Sequence, residues 1–200
     1  MSEDPSKDSF TQSQFEHFQQ LSQIITSGFD YKILLHILNS AGIERFPEMQ
    51  LDMVRLGIGL YGASSGQSAQ LKNVATLKST ISQIKTVLPG ETVGYGRNFV
   101  AEHLTRIAII PVGYADGYSR RLGNGVGRVI INNQPAPIIG SVCMDMCMAD
   151  VTAIECAEDD SVIFFGEAQS VSQVAEWAGT IPYEVLTTVG QRVKRVYFEE

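Results

Sequence analysis

DMVRLGIGLYGASSGQSAQ, residues 52–70, is where the chain changes character. Up to Tyr61 it is an apolar run interrupted by Arg55, Gly57 and Gly59. From Ala63 to Gln70 it has the small, polar composition of a linker. Upstream, YKILLH (31–36) reads as a short buried strand and Asn39-Ser40-Ala41-Gly42 as a loop. A short helix is expected around residues 44–46, ended by Pro47. Strand, loop, helix and strand at this spacing imply a parallel βαβ unit. Earlier still, Phe15, Phe18, Leu21 and Ile25 recur at helical spacing as a stripe facing a core. Thr11 stands where it would cap that helix, Gln14 where a capping box wants Glu or Gln, and Gly28 stops it. Residues 1–10 read as a frayed polar start.

Downstream of the linker the pattern is short β-rich runs at 75–87, 105–112, 127–131, 137–142, 146–151 and 161–165. Pro89-Gly90, Asn132-Asn133 and Asp159-Asp160 punctuate them, so an all-β barrel or sandwich is expected. A helix is predicted over 172–178 and a closing strand over 193–198. The expected fold class is therefore α+β, a barrel-like β domain (67–200) behind the last βα elements of another domain (1–66). A helix or two and two strands cannot close a sheet or cover both its faces. The first third thus reads as part of something larger, completed by upstream sequence or by docking.

Composition narrows the class. The 200 residues are 44% hydrophobic and 18% charged, enough for a sizeable core and unlike a disordered chain. Fifteen Lys+Arg against 22 Asp+Glu give a net charge of −7 with no basic run, which argues against nucleic acid. No apolar stretch approaches the roughly 20 residues of a membrane span. The acidic, polar opening is unlike a secretory or transit peptide, and three cysteines without a C-x2-C pair do not make a disulfide framework. A cytoplasmic protein is expected.

Four segments could carry chemistry. His36, Asn39 and Ser40 lie where a parallel strand ends, the place where α/β folds hold ligands, and a serine hydroxyl with loop N–H groups could bind phosphate. The same residues could equally satisfy buried backbone and cap a helix. Arg55 in an apolar run needs a partner or a site, and the glycines after it let an anion approach the backbone; a surface ion pair with a bulge is the alternative. Gly94-Tyr95-Gly96 and Gly113-Tyr114-Ala115-Asp116-Gly117 leave two phenols at turns; plain hairpin turns are the alternative. Cys143-Met144-Asp145-Met146-Cys147-Met148 reads as a buried strand of soft hydrophobes. A copper-thiolate reading is disfavoured because alternating side chains face opposite ways and no histidine is near.

In this order the motifs resemble one family, the alanine racemases, pyridoxal-phosphate enzymes that interconvert L- and D-alanine. The matching stretches are HILNSAGIERFP (36–47), DMVRLGIGLYG (52–62), LKSTISQIKTVLPGETVGYGRNFVA (77–101), TRIAIIPVGYADGYSRRL (105–122), APIIGSVCMDMCMADVT (136–152) and AEWAGTIPYEVLTTVGQRVKRVY (175–197). The resemblance implies that residues 1–66 are the end of the (β/α)8 barrel that binds pyridoxal 5'-phosphate. Residues 67–200 would be the C-terminal β domain. Ser40, Gly57 and Ile58 would hold the cofactor phosphate, and Arg55 would face the pyridine nitrogen, buttressed by His36 and Asn39. Tyr95 would be the catalytic acid/base, Tyr114 would line the substrate pocket, and the Met144 N–H would receive the substrate carboxylate with Asp145 beside it. The family's site is shared across a homodimer, so Tyr95, Tyr114 and Met144 would serve the partner's cofactor.

The residue types suit the chemistry. Racemisation needs two acid/base groups astride a planar carbanion, and a tyrosine, with an ordinary pKa of about 10, needs neighbours that lower it. An arginine opposite the ring nitrogen donates and stays charged, so the nitrogen remains unprotonated and the electron sink is weaker. There are also departures. None of the six lysines (7, 32, 72, 78, 85, 194) opens the family's cofactor-lysine motif, and the N-terminal arginine that grips the substrate carboxylate has no counterpart. Leu56 replaces a proline, Ser141 stands where an arginine is common, and Gln191 stands where some members have a phosphate-contacting tyrosine. The expectation is a segment of an alanine racemase, inactive alone, whose product would be D-alanine for peptidoglycan. HILNSAGIERF and DMVRLGIGLYG also resemble racemases fused behind a cell-wall ligase. The rival expectation is a non-catalytic β module that mediates dimerisation.

Overall fold

The structure is a computed structural model and describes residues 4–63 and 71–198. The linker expected over 63–70, and the boundary expected at 66/67, lie outside the described residues apart from Ala63. Two compact units are resolved by their internal contacts, Met1–Val74 and Ala75–Glu200.

In the first unit, α1 (Asp8–Thr26) starts four residues earlier than the capping signal at Thr11 implies. Thr11 is fully buried inside the helix, so it caps nothing, and the capping box with Gln14 does not form. Asp8 instead occupies the first turn, where a carboxylate complements the helix dipole, and pairs with Arg45 Nη2 at 2.6 Å. Of the start expected to be frayed, the described residues are structured: Pro5–Lys7 forms a 3-10 turn, and the Ser6 N–H donates to Asp4. The predicted apolar stripe is half right. Phe15 and Phe18 turn inward with Thr11 and Ser22, while Leu21 and Ile25 are exposed beside Phe10 and Ile24. A small cluster (Phe15, Leu38 and Met49, flanked by Ile43, Phe46 and Val54) takes up only a narrow face of the helix.

The two strands predicted here shrink to one parallel bridge, His36 to Met53. Leu35 C=O accepts from Asp52 and Met53, and Leu38 C=O accepts from Arg55, after which the chain winds into a 3-10 turn at Ile58–Tyr61. A parallel strand needs neighbours on both sides and cover on both faces. With one neighbour, Tyr31, Leu34, Leu56 and Leu60 stay exposed. Asp52 braces the entry: its carboxylate takes the Lys32 ammonium at 2.6 Å and the Leu35 N–H, and both hold it below the usual carboxylate range. α2 (Ser40–Arg45) begins four residues before its predicted position, capped by Asn39.

The second unit is a curled antiparallel sheet. Its strands are β1 (Leu77–Thr80), β2 (Gln83–Val87), β3 (Thr92–Val93), β4 (Phe99–Val100), β5 (Thr105–Ile110), β6 (Arg128–Ile131), β7 (Gln134–Ile139), β8 (Cys147–Asp150) and β9 (Ser161–Phe165). Seven of them run in the order β1-β9-β6-β7-β8-β5-β2. The two outermost strands are successive in sequence, so the chain passes from one margin of the sheet to the other across Ile81-Ser82. Side chains alternate between two packed faces. Ala108, Ile110, Val129, Ile131, Ile138, Cys147, Ala149, Val162 and Phe164 form the fully buried interior. Ile107, Ile139 and Met148 point the other way, where the β3–β4 hairpin covers them with Val93 and Phe99. The hairpin that displays Tyr95 is thus itself anchored by a small core.

Three readings need correction here. β7 lies three residues earlier than the run predicted at 137–142, because Asn132 and Asn133, both with positive φ, close a tight β6–β7 hairpin. The strand predicted at 193–198 is absent from the described residues. There the Arg195 guanidinium donates to the carbonyls of Val189, Gly190 and Val193 and wraps the segment on itself. α3 (Val171–Ala178) starts one residue before its prediction, and α4 (Pro182–Thr188) follows it unannounced, since only Val185 of that helix is buried.

Tyr118 packs edge-on against Phe164, with ring centroids 4.7 Å apart. Its hydroxyl is buried without a hydrogen-bond partner, and burial pushes the phenol well above its ordinary range. Removing an unsatisfied buried hydroxyl while keeping the ring relieves a desolvation cost. Tyr118→Phe should therefore stabilise the fold by about 1 kcal/mol in urea denaturation, whereas Phe164→Ala should cost about 3–5 kcal/mol.

Candidate functional site

The sequence-predicted residues fall into two groups, one in each unit. In the first, Ser40 is nearly fully buried at the start of α2, and its Oγ accepts from Gly57 N–H at 2.9 Å and Gly59 N–H at 3.2 Å. One hydroxyl thus ties the loop before α2 to the glycine loop seventeen residues on, and its own proton stays available to a further acceptor. Ile58 opens the adjacent 3-10 turn, where a turn leaves an N–H outside its own ladder. Two residues before Gly57, Arg55 Nη1 lies 3.0 Å from His36 Nδ1. Arginine has no acceptor, so Nδ1 must receive the bond and the ring proton sits on Nε2. Asn39 Oδ1 accepts from Gly42 N–H at 3.0 Å and caps α2, the helix-capping alternative of the sequence reading.

The first group fits pyridoxal 5'-phosphate by donor chemistry. A serine hydroxyl and glycine-loop N–H groups suit a phosphate, and an arginine anchored from behind by a neutral histidine suits an acceptor nitrogen. The lysine motif that would carry the cofactor is absent from this sequence. Lys32 is the lysine held nearest in sequence, and it is engaged with Asp52.

In the second unit, Tyr95 sits at the tip of the β3–β4 hairpin, 77% exposed. The flanking Gly94 and Gly96 have φ of 77° and 76°, left-handed geometry that a side chain would strain. Ser141 Oγ donates to the Tyr95 carbonyl at 3.3 Å and lies 3.3 Å from the Asn98 amide nitrogen that donates to it. The serine at the common arginine position therefore braces the tyrosine turn from below.

Tyr114 and Met144 are held side by side. Tyr114 N–H donates to Cys143 C=O and Ala115 N–H to Met144 C=O, each at 3.0 Å. Gly113 permits the approach, since a Cβ there would lie 2.3 Å from both carbonyl oxygens. Asp116 stiffens the turn by accepting from Gly113 N–H at 2.9 Å. Tyr114 and Met144 are half exposed, at 42% and 53%.

One residue of this site escaped the sequence reading. Arg192 bridges Asp116 Oδ1 at 2.9 Å and Asp145 Oδ1 at 2.7 Å. The Asp145 hydrogen bond, then the Asp116 charge, pushes it above the ordinary arginine range. Its position inside VGQRVKRVY offered no signal, because both aspartates lie far away in sequence. Among the described residues, no group of three or more His, Cys, Asp or Glu could hold a metal ion, and no helix is long and apolar enough to cross a membrane.

With this geometry in place, comparison with known proteins is informative. Residues 74–197 match the family described as "Alanine racemase, C-terminal domain", and residues 1–65 match "Alanine racemase, N-terminal domain". The chain is 41% identical to an alanine racemase of Clostridium tetani, across 100% of the chain and 54% of that protein. It is 43% identical to one from Desulforamulus reducens, across 94% and 53%. The crystal structure of the Streptomyces lavendulae alanine racemase superposes with a TM-score of 0.88 at 31% identity, covering 94% of this chain and 51% of that one. A Bartonella henselae alanine racemase with covalently bound pyridoxal phosphate gives 0.83 at 30% identity, covering 93% and 52%. The chain spans about half the length of the curated relatives it matches. These matches do not favour the non-catalytic dimerisation module.

The close approach at Gly113 supplies a direct check. Gly113→Ala should push the Tyr114 turn off the Met144 loop and destabilise the unit by about 1–3 kcal/mol. Faster hydrogen exchange at the Tyr114 and Ala115 amides than elsewhere in the unit would confirm where the strain falls.

Proposed function

The chain belongs to the alanine racemase family, and from that premise we propose that it supplies the C-terminal part of an enzyme interconverting L- and D-alanine. The observation that carries the reading is the Ser40–Gly57 bond with the Arg55–His36 pair behind it. These residues, seventeen and nineteen apart in sequence, converge as a phosphate-and-nitrogen recognition set. Residues 1–66 are read as the end of the pyridoxal-phosphate barrel and 67–200 as the family's β domain.

Pyridoxal phosphate, when bound, supplies the electron sink that lets a Cα proton be removed. The residues of this chain do the rest. Ser40, Gly57 and Ile58 would hold the phosphate through hydroxyl and backbone N–H groups. Arg55 would face the ring nitrogen and, as a guanidinium, would donate a hydrogen bond to it without giving up a proton. His36 fixes the guanidinium plane, and Asn39 holds α2 so that Ser40 keeps its position. Tyr95, raised on its hairpin, takes or returns the proton at one face of the substrate Cα. Tyr114 lines the pocket, and Met144 N–H receives the substrate carboxylate, with Asp145 beside it. Tyr95, Tyr114 and Met144 serve the cofactor of a second copy in a homodimer. The proton at the opposite face needs a lysine that this sequence does not carry in the family's motif, so the 200 residues alone are expected to be inactive. The enzyme works in the cytoplasm, supplying D-alanine for peptidoglycan.

Mixing tests this. The purified chain with pyridoxal phosphate and L-alanine should form no D-alanine. Addition of the upstream half of the Clostridium tetani relative should restore D-alanine formation. It should be lost again with Tyr95→Phe, by about 10²–10⁴-fold as expected for removing an acid/base group. Activity of the chain alone, or silence of the mixture despite co-purification of the two pieces, would count against the reading.

A further inference from the structure

The structure assigns Arg192 as a positioning residue that makes the Met144 loop receptive to a carboxylate. This rests on the reading of Met144 N–H as the carboxylate donor. Three chain segments meet at one guanidinium: the Tyr114 turn through Asp116, the Met144 loop through Asp145, and the C-terminal segment that Arg195 winds on itself. The two ion pairs differ. The Asp116 side chain is only 10% exposed, is already bonded to Gly113 N–H, and is well shielded. The Asp145 side chain is 53% exposed and directly follows Met144.

That arrangement carries a charge problem and its solution. An aspartate beside a carboxylate-binding N–H repels the ligand it sits next to. Arg192 Nη2 on Asp145 Oδ1 removes most of that negative charge and, through Nε on Asp116, fixes the loop relative to the tyrosine turn. Arg195 is occupied with the backbone carbonyls of Val189, Gly190 and Val193, so it cannot stand in. Arg192 does not touch the ligand. It sets the charge and place of the group that does.

The discriminating experiment uses the whole chain, 15N-labelled, titrated with propionate while the Met144 amide is followed by NMR. Wild type should give a saturable shift at Met144, and Arg192→Gln should weaken propionate by about fivefold, the scale of one uncompensated like charge nearby. Arg192→Gln/Asp145→Asn should recover wild-type affinity to within about twofold, because both charges are then gone. A loss caused by disturbed structure would not be rescued by removing a second contact. Arg192→Lys, which keeps the charge, should also stay within about twofold.

A double variant as weak as Arg192→Gln, or Arg192→Gln indistinguishable from wild type, overturns the assignment and leaves the carboxylate reading intact. A wild-type Met144 amide indifferent to propionate overturns the carboxylate reading itself, and the assignment with it. Should Arg192→Gln lose its amide dispersion, Arg192→Lys decides: affinity about fivefold down in a folded chain refutes the charge role.

Discussion

The register between β5 and β8 is the constraint from which the site in the second unit follows. Ile110 pairs with Cys147, and the same register carried four residues further on each strand sets Tyr114 against Cys143. The Tyr114 turn and the Met144 loop are therefore the frayed continuation of a β-ladder rather than two independent loops. A slip of one residue would exchange faces, moving Ala108, Ile110, Cys147 and Ala149 out of the interior and Ile109 and Met148 into it. Core packing therefore enforces the alignment of the site, and Gly113 and Asp116 only adjust the last few ångströms.

The reach of sequence reasoning followed the type of interaction. The β runs at 105–112, 127–131, 146–151 and 161–165 were legible because each is a short apolar run, bounded by turn signals, that supplies fully buried residues to the interior. The strands expected at 31–36 and 52–61 were not, because apolar content announces burial without saying what does the burying. The same gap misdirected the stripe on α1: Phe15 packs with Leu38 and Met49, whereas Leu21 and Ile25 stay exposed. Thr11 failed as a cap for a further reason. A threonine before an apolar periodicity is a statistical start signal, and here Asp8 and its bond to Arg45 begin the helix a turn earlier.

The candidate site divides in the same way. Candidates marked by their local sequence were visible: a serine in a loop, an arginine among glycines, tyrosines between glycines. Arg192 was invisible because its meaning is entirely tertiary, created when two turns from distant parts of the chain arrive beside it. Asn39 shows the converse. A residue with two sound local readings was spent on the plainer of them, and it holds the helix that carries Ser40.

The passage of the chain across Ile81-Ser82 has one more consequence, for how copies of the β unit can associate. The two strands it joins are the margins of the sheet, and such margins invite pairing with another molecule's strand. Here they are four and five residues long, with exposed Lys78 and Lys85 near their centres. The Ile84 N–H is already bonded to Glu158. Short length and a central lysine at each margin, with the Ile84 bond on β2, disfavour strand-on-strand addition there.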